Sequence, residues 1–220
     1  MIYSLLNRDT AAQLHEEGHV IGKRHFKLFS FSRLFGKRQS FGGYVVFTGP
    51  VSFYVTSSDE AFLNELCSNI LKAKSVVLEM NMLKVAEVSV LPEHVLSSGI
   101  IVDTMSPVTV YSTVYTADGK RKTYYYSPFE PDFSRLITEN LRKKHLLITG
   151  QEAKGEVFFE PLGVREVVGV FKGTIIKGWI GRFRVTGAPE LISIGYSTGF
   201  GPKNSIGYGM VELSSHRQGE

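Results

Sequence analysis

The chain has 220 residues, of which 25 are Lys or Arg and 21 are Asp or Glu, giving a formal net charge of +4. This length holds one large or two small domains, and a hydrophobic content of 43% excludes a disordered chain. The single cysteine, Cys67, excludes an intrachain disulfide and a cysteine-based zinc site. Since no apolar run reaches the ~18–20 residues of a membrane span and there is no secretory signal, we expect a cytoplasmic protein with no membrane partner.

Apolar spacing and capping residues predict helices and short strands in the first half of the chain. A helix is predicted over 2–17, and an N-cap signal over 57–60 starts a second helix that ends near residue 72. Strands are predicted over 27–34, 44–47 and 51–55, and one or two strands within 75–91. We expect 51–55 to pair with 44–47 across Gly49 and Pro50.

The second half repeats this mixture. Strands are predicted over 100–114, 122–126, 155–159, 164–171 and 173–185, with helices over 131–144 and 188–196. Two halves of antiparallel strands with two helices each predict an α+β fold of tandem ferredoxin-like (RRM-like) domains, over residues 1–95 and 96–220. A ferredoxin-like domain begins with a strand, whereas this chain opens in a helix. We therefore expect the first domain to lack its N-terminal strand, either because the start was chosen at an internal methionine, which we favour, or because the strand was lost.

A glycine-rich loop precedes the last predicted strand, from Gly199 to Gly209. Its glycines permit close approach of backbone N–H groups to a phosphate, while Lys203 adds a cation and Ser205 a hydroxyl. Neither a Walker loop nor a dinucleotide-binding fingerprint fits, because the Gly-Lys-Ser/Thr motif and the following helix are absent. The pattern favours the backbone of a polymer as ligand, and a flexible turn is the alternative.

This loop resembles the C-terminal glycine-rich loop of the RAMP superfamily, the CRISPR-associated RNA-binding proteins. The matching residues are Gly199, Gly201, Lys203, Asn204, Ser205, Gly207, Gly209, Met210 and Val211. A second match, Tyr3, His15 and then residues 27–32, is similar to the order found in the repeat-processing endoribonucleases of that superfamily. Residues 106–108 resemble the stretch that opens their second domain.

The resemblance implies a metal-independent endoribonuclease that cleaves precursor CRISPR RNA within its repeats. His15 would be the acid or base, Lys27 would stabilise the phosphorane charge, and Tyr3 would position these groups or assist as a base. No cofactor is expected, and the products would be a 2′,3′-cyclic phosphate and a 5′-hydroxyl. The competing interpretation is that the three are unrelated structural residues: a core tyrosine, a solvated histidine and a strand-edge lysine.

The predicted partner is CRISPR repeat RNA, with subunits of a CRISPR effector complex as further candidates and a monomer or homodimer as the assembly. The predicted RNA-binding residues are Lys23, Arg24, Lys37, Arg38, Gly199, Gly201, Lys203, Asn204, Ser205, Gly207 and Gly209. Residues 120–122 and 142–144 are basic runs that either bind phosphate or are solvated surface. Residues 124–126, three tyrosines, either stack on bases or bury one strand face. A non-catalytic RNA-binding subunit remains an alternative within the same fold.

A zinc protease is the alternative from another class. Residues 15–25 fit H-E-x-x-H-x-x-G-x-x-H, in which His15, His19 and His25 would hold zinc and Glu16 would act as base. Only fourteen residues precede this motif, too few for the sheet that precedes the zinc helix of such proteases. The zinc interpretation also leaves the glycine-rich loop unexplained.

Overall fold

The structure is a computed structural model that describes residues 1–14, 18–22 and 24–214. In the first half, the elements are a 3-10 helix at Ile2–Leu5, α1 at Arg8–Ala12, β1 at His19–Ile21, β2 at Arg24–Phe26, β3 at Phe29–Phe31, β4 at Arg38–Phe41, β5 at Tyr44–Phe47, β6 at Val55–Ser57, α2 at Glu60–Ala73, β7 at Ser75–Leu78 and β8 at Asn81–Lys84. The strands form antiparallel pairs: β1–β2, β3–β6, β4–β5 and β7–β8.

Two predictions for this half are wrong. The single helix over 2–17 is interrupted at Leu6, whose extended backbone carries its side chain into the core between the 3-10 helix and α1. The strand over 44–47 pairs with Arg38–Phe41 rather than with 51–55. Gly42 and Gly43 both have positive φ, as a two-residue hairpin turn requires, and this local turn fixes the pairing.

The N-terminal core forms where α2 packs on β3. The Phe29 and Phe62 rings lie 5.0 Å apart between centroids, and the buried side chains of Ile2, Leu6 and Leu66 complete the cluster. α2 starts where the capping signal predicts: the Asp59 carboxylate accepts a hydrogen bond from the Phe62 backbone N–H at 3.1 Å.

The second half has a βαββαβ order with one inserted hairpin. Its elements are β9 at Ile100–Thr104, β10 at Tyr111–Tyr115, β11 at Arg121–Tyr125, α3 at Pro131–Thr149, β12 at Val157–Phe171, β13 at Thr174–Gly187, α4 at Pro189–Thr198, a 3-10 helix at Asn204–Ile206 and β14 at Val211–Leu213. The sheet order is β12-β13-β9-β14, with antiparallel neighbours, and β10–β11 is the separate hairpin. This order is ferredoxin-like, as predicted.

The larger core lies between this sheet and the helices α3 and α4. Phe133 of α3 stacks on Phe183 of β13, and Phe159 of β12 contacts Phe200 beyond α4 at 4.9 Å between ring centroids. The two strands predicted over 155–171 are one strand, because a register shift between Pro161 and Gly163 absorbs the irregularity without ending the pairing. No helix in the described ranges is long and apolar enough to cross a membrane.

Candidate functional site

Tyr3 and Lys27, two of the three predicted catalytic residues, lie together beside the N-terminal core. The Lys27 Nζ atom is 5.4 Å from the centroid of the Tyr3 ring, a cation–π distance, and the Tyr3 ring meets Phe29 edge-on. Between Lys27 and β3, Leu28 has a φ of 44°, which is uncommon for a residue with a side chain. The buried Leu28 side chain anchors this sharp turn, which sets where Lys27 leaves the strand.

Burial favours the neutral form of both groups. Burial raises the pKa of the Tyr3 hydroxyl and lowers the pKa of the Lys27 amine. A raised pKa leaves less of Tyr3 in the phenolate form that could act as a base, which favours a positioning role for its ring. The partly desolvated Lys27 amine is suited to an anion, because a nearby phosphate would favour its charged form.

His15, the third predicted catalytic residue, lies outside the described residues, as does Lys23. The described residues nearest to this stretch, Leu14 before it and Gly18 after it, both lie near the Tyr3–Lys27 pair. Leu14 packs against the cluster that contains Tyr3, and a Cβ built on Gly18 would lie 3.7 Å from Cγ of Lys27.

The histidine spacing of the zinc interpretation does not fall on a helix. His19 lies in β1 and His25 in β2, where the antiparallel register pairs His19 with Phe26 and Val20 with His25. Directly opposed residues of two strands share a face and neighbours alternate, so the two histidines lie on opposite faces of the hairpin. The zinc-helix interpretation is therefore wrong, since it needs His19 one helical turn after His15.

The glycine-rich loop is packed between the two halves of the chain. Gly199, Gly201, Asn204 and Gly209 are buried, whereas Lys203, Ser205 and Gly207 are partly exposed. All four glycines have positive φ. A Cβ on Gly201 would lie 2.7 Å from the Thr109 carbonyl oxygen, so packing alone requires glycine there. Of the predicted RNA contacts in this loop, only the partly exposed ones have accessible surface in this conformation.

The inner side of the loop contacts strand β3, which begins two residues after Lys27. The Ser30 hydroxyl donates a hydrogen bond to the Tyr208 carbonyl at 3.1 Å, and Gly207 lies against the Phe31 ring. The loop and the Tyr3–Lys27 pair are thus fixed to the same short strand.

A cavity of about 270 Å³ between the two halves is lined by three arginines, Arg33, Arg38 and Arg165. Burial lowers the pKa of the Arg33 guanidinium, Arg38 and Arg165 lower it further, and nearby Tyr208 opposes the shift. Mutual repulsion of three cations without a counter-ion is relieved by an anion. Lys37 is exposed beside this cavity and does not line it.

Cations on β13, which lies in the same sheet as Arg165, already have carboxylate partners. They form ion pairs at 2.9 Å (Arg182–Asp103), 2.8 Å (Arg184–Glu160) and 3.0 Å (Lys177–Glu166). No carboxylate in the described ranges forms an ion pair with Arg33, Arg38 or Arg165. Sequence reasoning missed Arg33 and Arg165 because each stands outside a basic run and only the tertiary fold brings them to Arg38.

Tyrosines of the β10–β11 hairpin lie beside the glycine-rich loop. Lys203 Nζ lies 5.0 Å from the Tyr111 ring centroid, and Tyr111 is paired with Tyr125 across the hairpin at 5.6 Å. Tyr124 and Tyr125, predicted to belong to one base-stacking set, are neighbours on β11 and therefore lie on opposite faces of the hairpin. The Tyr124 hydroxyl donates a hydrogen bond to Glu130.

A ferredoxin-like second half, a first half of helices and antiparallel strands, and a glycine-rich loop packed between them define a protein of the RAMP class. The family model described as "CRISPR associated protein Cas6, C-terminal" matches residues 90–213, more than half of the chain. The chain belongs to the Cas6 family of CRISPR-associated proteins, which confirms the resemblance inferred from the sequence.

Relatives match nearly the whole chain. The CRISPR-associated endoribonuclease Cas6 of Pyrococcus furiosus is 29% identical over 224 residues, covering 99% of this chain and 81% of that protein. CRISPR-associated endoribonuclease Cas6 1 of Methanocaldococcus jannaschii is 29% identical over 207 residues, covering 90% of this chain and 80% of that protein. The solved structure of a Cas6-related protein from P. furiosus has a TM-score of 0.86 at 21% identity and covers 98% of this chain and 88% of its own. The predicted α+β class with tandem ferredoxin-like domains is confirmed.

Proposed function

We propose that this chain is an endoribonuclease that cuts precursor CRISPR RNA within its repeats by attack of a 2′-hydroxyl on the adjacent phosphodiester, without a metal ion. The observation that carries the proposal is the contact of Lys27 with Tyr3, at 5.4 Å from amine to ring centroid. The names of the relatives from P. furiosus and M. jannaschii, both described as endoribonucleases, support the same activity.

In this mechanism, each residue supplies what RNA does not carry itself. RNA provides the nucleophile, so the protein needs an acid or base and a cation. His15 transfers the proton, since its ordinary pKa is about 6.5. Lys27 stabilises the charge that develops on the phosphorane, and the Tyr3 ring holds the Lys27 amine in place. The products are a 2′,3′-cyclic phosphate and a 5′-hydroxyl.

We assign the cleaving residues to an N-terminal domain, 1–95, and the glycine-rich loop to a C-terminal domain, 96–220. The RNA backbone runs through the cavity lined by Arg33, Arg38 and Arg165 and along the exposed side of the loop at Lys203. Subunits of a CRISPR effector complex, and a monomeric or homodimeric state, stay predictions.

The catalytic test is single-turnover cleavage of end-labelled repeat RNA by His15→Ala, with His94→Ala as the matched control, because His94 is an exposed histidine outside the site. His15→Ala should lower the rate about 10²–10⁴-fold while the Kd for RNA changes little. EDTA should leave the rate unchanged, and a single 2′-deoxy nucleotide at the cleavage position should abolish the reaction. Loss of activity on chelation, or cleavage of the 2′-deoxy substrate, would refute this mechanism.

The RNA path is tested by comparing arginines with and without an ion-pair partner. Arg165→Ala should weaken RNA binding and reduce the slope of log K against log salt by about one contact. Arg182→Ala, which removes an arginine paired with Asp103 on the same sheet, should change the slope much less. RNA binding without cleavage by the wild-type chain would instead favour the non-catalytic RNA-binding subunit.

A further inference from the structure

Lys144 is a buried lysine in a position where the sequence suggested a solvated basic run. It lies on α3 with its side chain almost fully removed from solvent, at 2% exposure. Its Nζ atom donates hydrogen bonds to the Gly199 carbonyl at 2.5 Å, to the Asn204 Oδ1 atom at 2.7 Å and, more weakly, to the Gly201 carbonyl at 3.4 Å. All three acceptors belong to the glycine-rich loop.

No carboxylate in the described ranges forms an ion pair with Lys144. Its partners are neutral oxygens, and Gly199 is the C-cap residue of α4, where the helix dipole places partial negative charge. Burial of an amine is unfavourable unless its hydrogen bonds are satisfied. The Lys144 contacts therefore act as an internal brace for the end of α4 and the loop that follows.

The hydrogen bonds from Lys144 hold the residues on both sides of Lys203, the partly exposed lysine of the loop. Lys203 lies between Gly201 and Asn204, both held by Lys144, and has a φ of 65°. A lysine keeps this left-handed conformation only where its surroundings hold it. The Asn204 amide continues the brace, because Nδ2 donates a hydrogen bond to the Tyr208 carbonyl at 2.9 Å.

We propose that Lys144 is a positioning residue for RNA binding, whose amino group fixes the inner oxygens of the glycine-rich loop and thereby holds Lys203 where it meets the RNA backbone. Lys144 itself is buried behind the loop and touches no RNA. This inference rests on the proposed RNA-binding function and adds to it a residue outside the interface.

A double-mutant cycle on the Kd for repeat RNA tests the coupling between the two lysines. In the wild-type background, Lys203→Ala should weaken binding and lower the salt slope by about one contact. Lys144→Met should already show both losses, and adding Lys203→Ala to it should change neither quantity further. The coupling should be about threefold or more in Kd. Lys143→Met, the neighbouring residue on α3, is the control in which the Lys203→Ala effect stays intact.

Circular dichroism and thermal unfolding of each variant separate positioning from loss of fold. A folded Lys144→Met protein with additive effects would overturn the proposal, and so would a wild-type protein whose RNA affinity ignores Lys203. If Lys144→Met does not fold, Lys144→Gln is measured in the same cycle, and failure of both to fold would assign Lys144 to global stability instead. Wild-type protein that binds no repeat RNA would refute the proposed function itself, before any variant is compared.

Discussion

Stability measured against pH should reveal the buried amine of Lys144 directly. Burial lowers the pKa of this amine from 10.5 to about 7 in the folded protein. Between these values, the unfolded chain binds a proton that the folded protein does not. Stability therefore rises as pH rises from about 7, and levels off near the unfolded pKa. Each pH unit in this window contributes about 1.4 kcal/mol, so the wild type should gain about 3 kcal/mol from this group between pH 7.5 and 9.5.

Urea unfolding at constant ionic strength measures this gain at several pH values. Other groups titrate in the same range, so the quantity to follow is the wild-type free energy of unfolding minus that of Lys144→Met. This difference should grow by about 3 kcal/mol from pH 7.5 to 9.5 and stay flat below about pH 6.

A difference that does not change between pH 7.5 and 9.5 would refute this reasoning. It would mean that the hydrogen bonds from Nζ to the loop oxygens hold the ammonium charged and outweigh the loss of hydration. The Lys144 brace would then be a permanent buried cation rather than an amine that is neutral in mildly alkaline solution.

Two further variants test the loop and the catalytic pair. Gly201→Ala and Gly173→Ala share a φ near 75°, but only Gly201 has a backbone oxygen 2.7 Å from the new Cβ, so its variant should be less stable by about a further 1–3 kcal/mol in urea unfolding; equal losses would show that the contact is relaxed at no cost. Tyr3→Phe keeps the ring beside Lys27 and should stay within about tenfold of the wild-type cleavage rate, whereas a loss of 10²-fold or more would make the Tyr3 hydroxyl a proton-transfer group.

Local patterns predicted the elements of the second half well. Pro131 at the helix start and the alternation along β12 and β13 are signals carried by short stretches of chain. The first half was harder, because its strands are three or four residues long and their pairing is decided by turns such as Gly42-Gly43. The pairing partners of such short strands cannot be predicted from the spacing of apolar residues alone.

Two sequence patterns make opposite predictions for the burial of Lys144. Phe133, Ile137 and Leu141 form the buried stripe of α3, and Lys144 continues it three residues after Leu141. Counted by spacing, Lys144 faces the core, whereas counted by charge it belongs to a basic surface run with Arg142 and Lys143. Lys144 is buried, as its spacing indicates, because the glycine-rich loop supplies oxygens that accept hydrogen bonds from its amine.

The arginine cavity had no comparable signal. Arg33 follows β3, Arg38 opens β4 and Arg165 lies in β12, so the three share neither a run nor a period. Their convergence depends on how the two halves of the chain meet, which no local pattern encodes. The same holds for the contact between Tyr3 and Lys27, which the sequence suggested only through a family resemblance.

The contacts of the glycine-rich loop link the proposed RNA-binding surface to the proposed cleavage site. The inner side of the loop is fixed to α3 by Lys144 and to β3 by the hydrogen bond from Ser30. Lys27 lies two residues before the start of β3. In the proposed function, an RNA strand on the exposed side of the loop would be positioned relative to Lys27, because the loop and Lys27 are both attached to β3. The hydrogen bond from Ser30 and the packing of Gly207 on Phe31 hold the loop against β3, so we expect the two to move together. In that proposal the buried glycines act by holding the loop on β3 rather than by contacting the RNA.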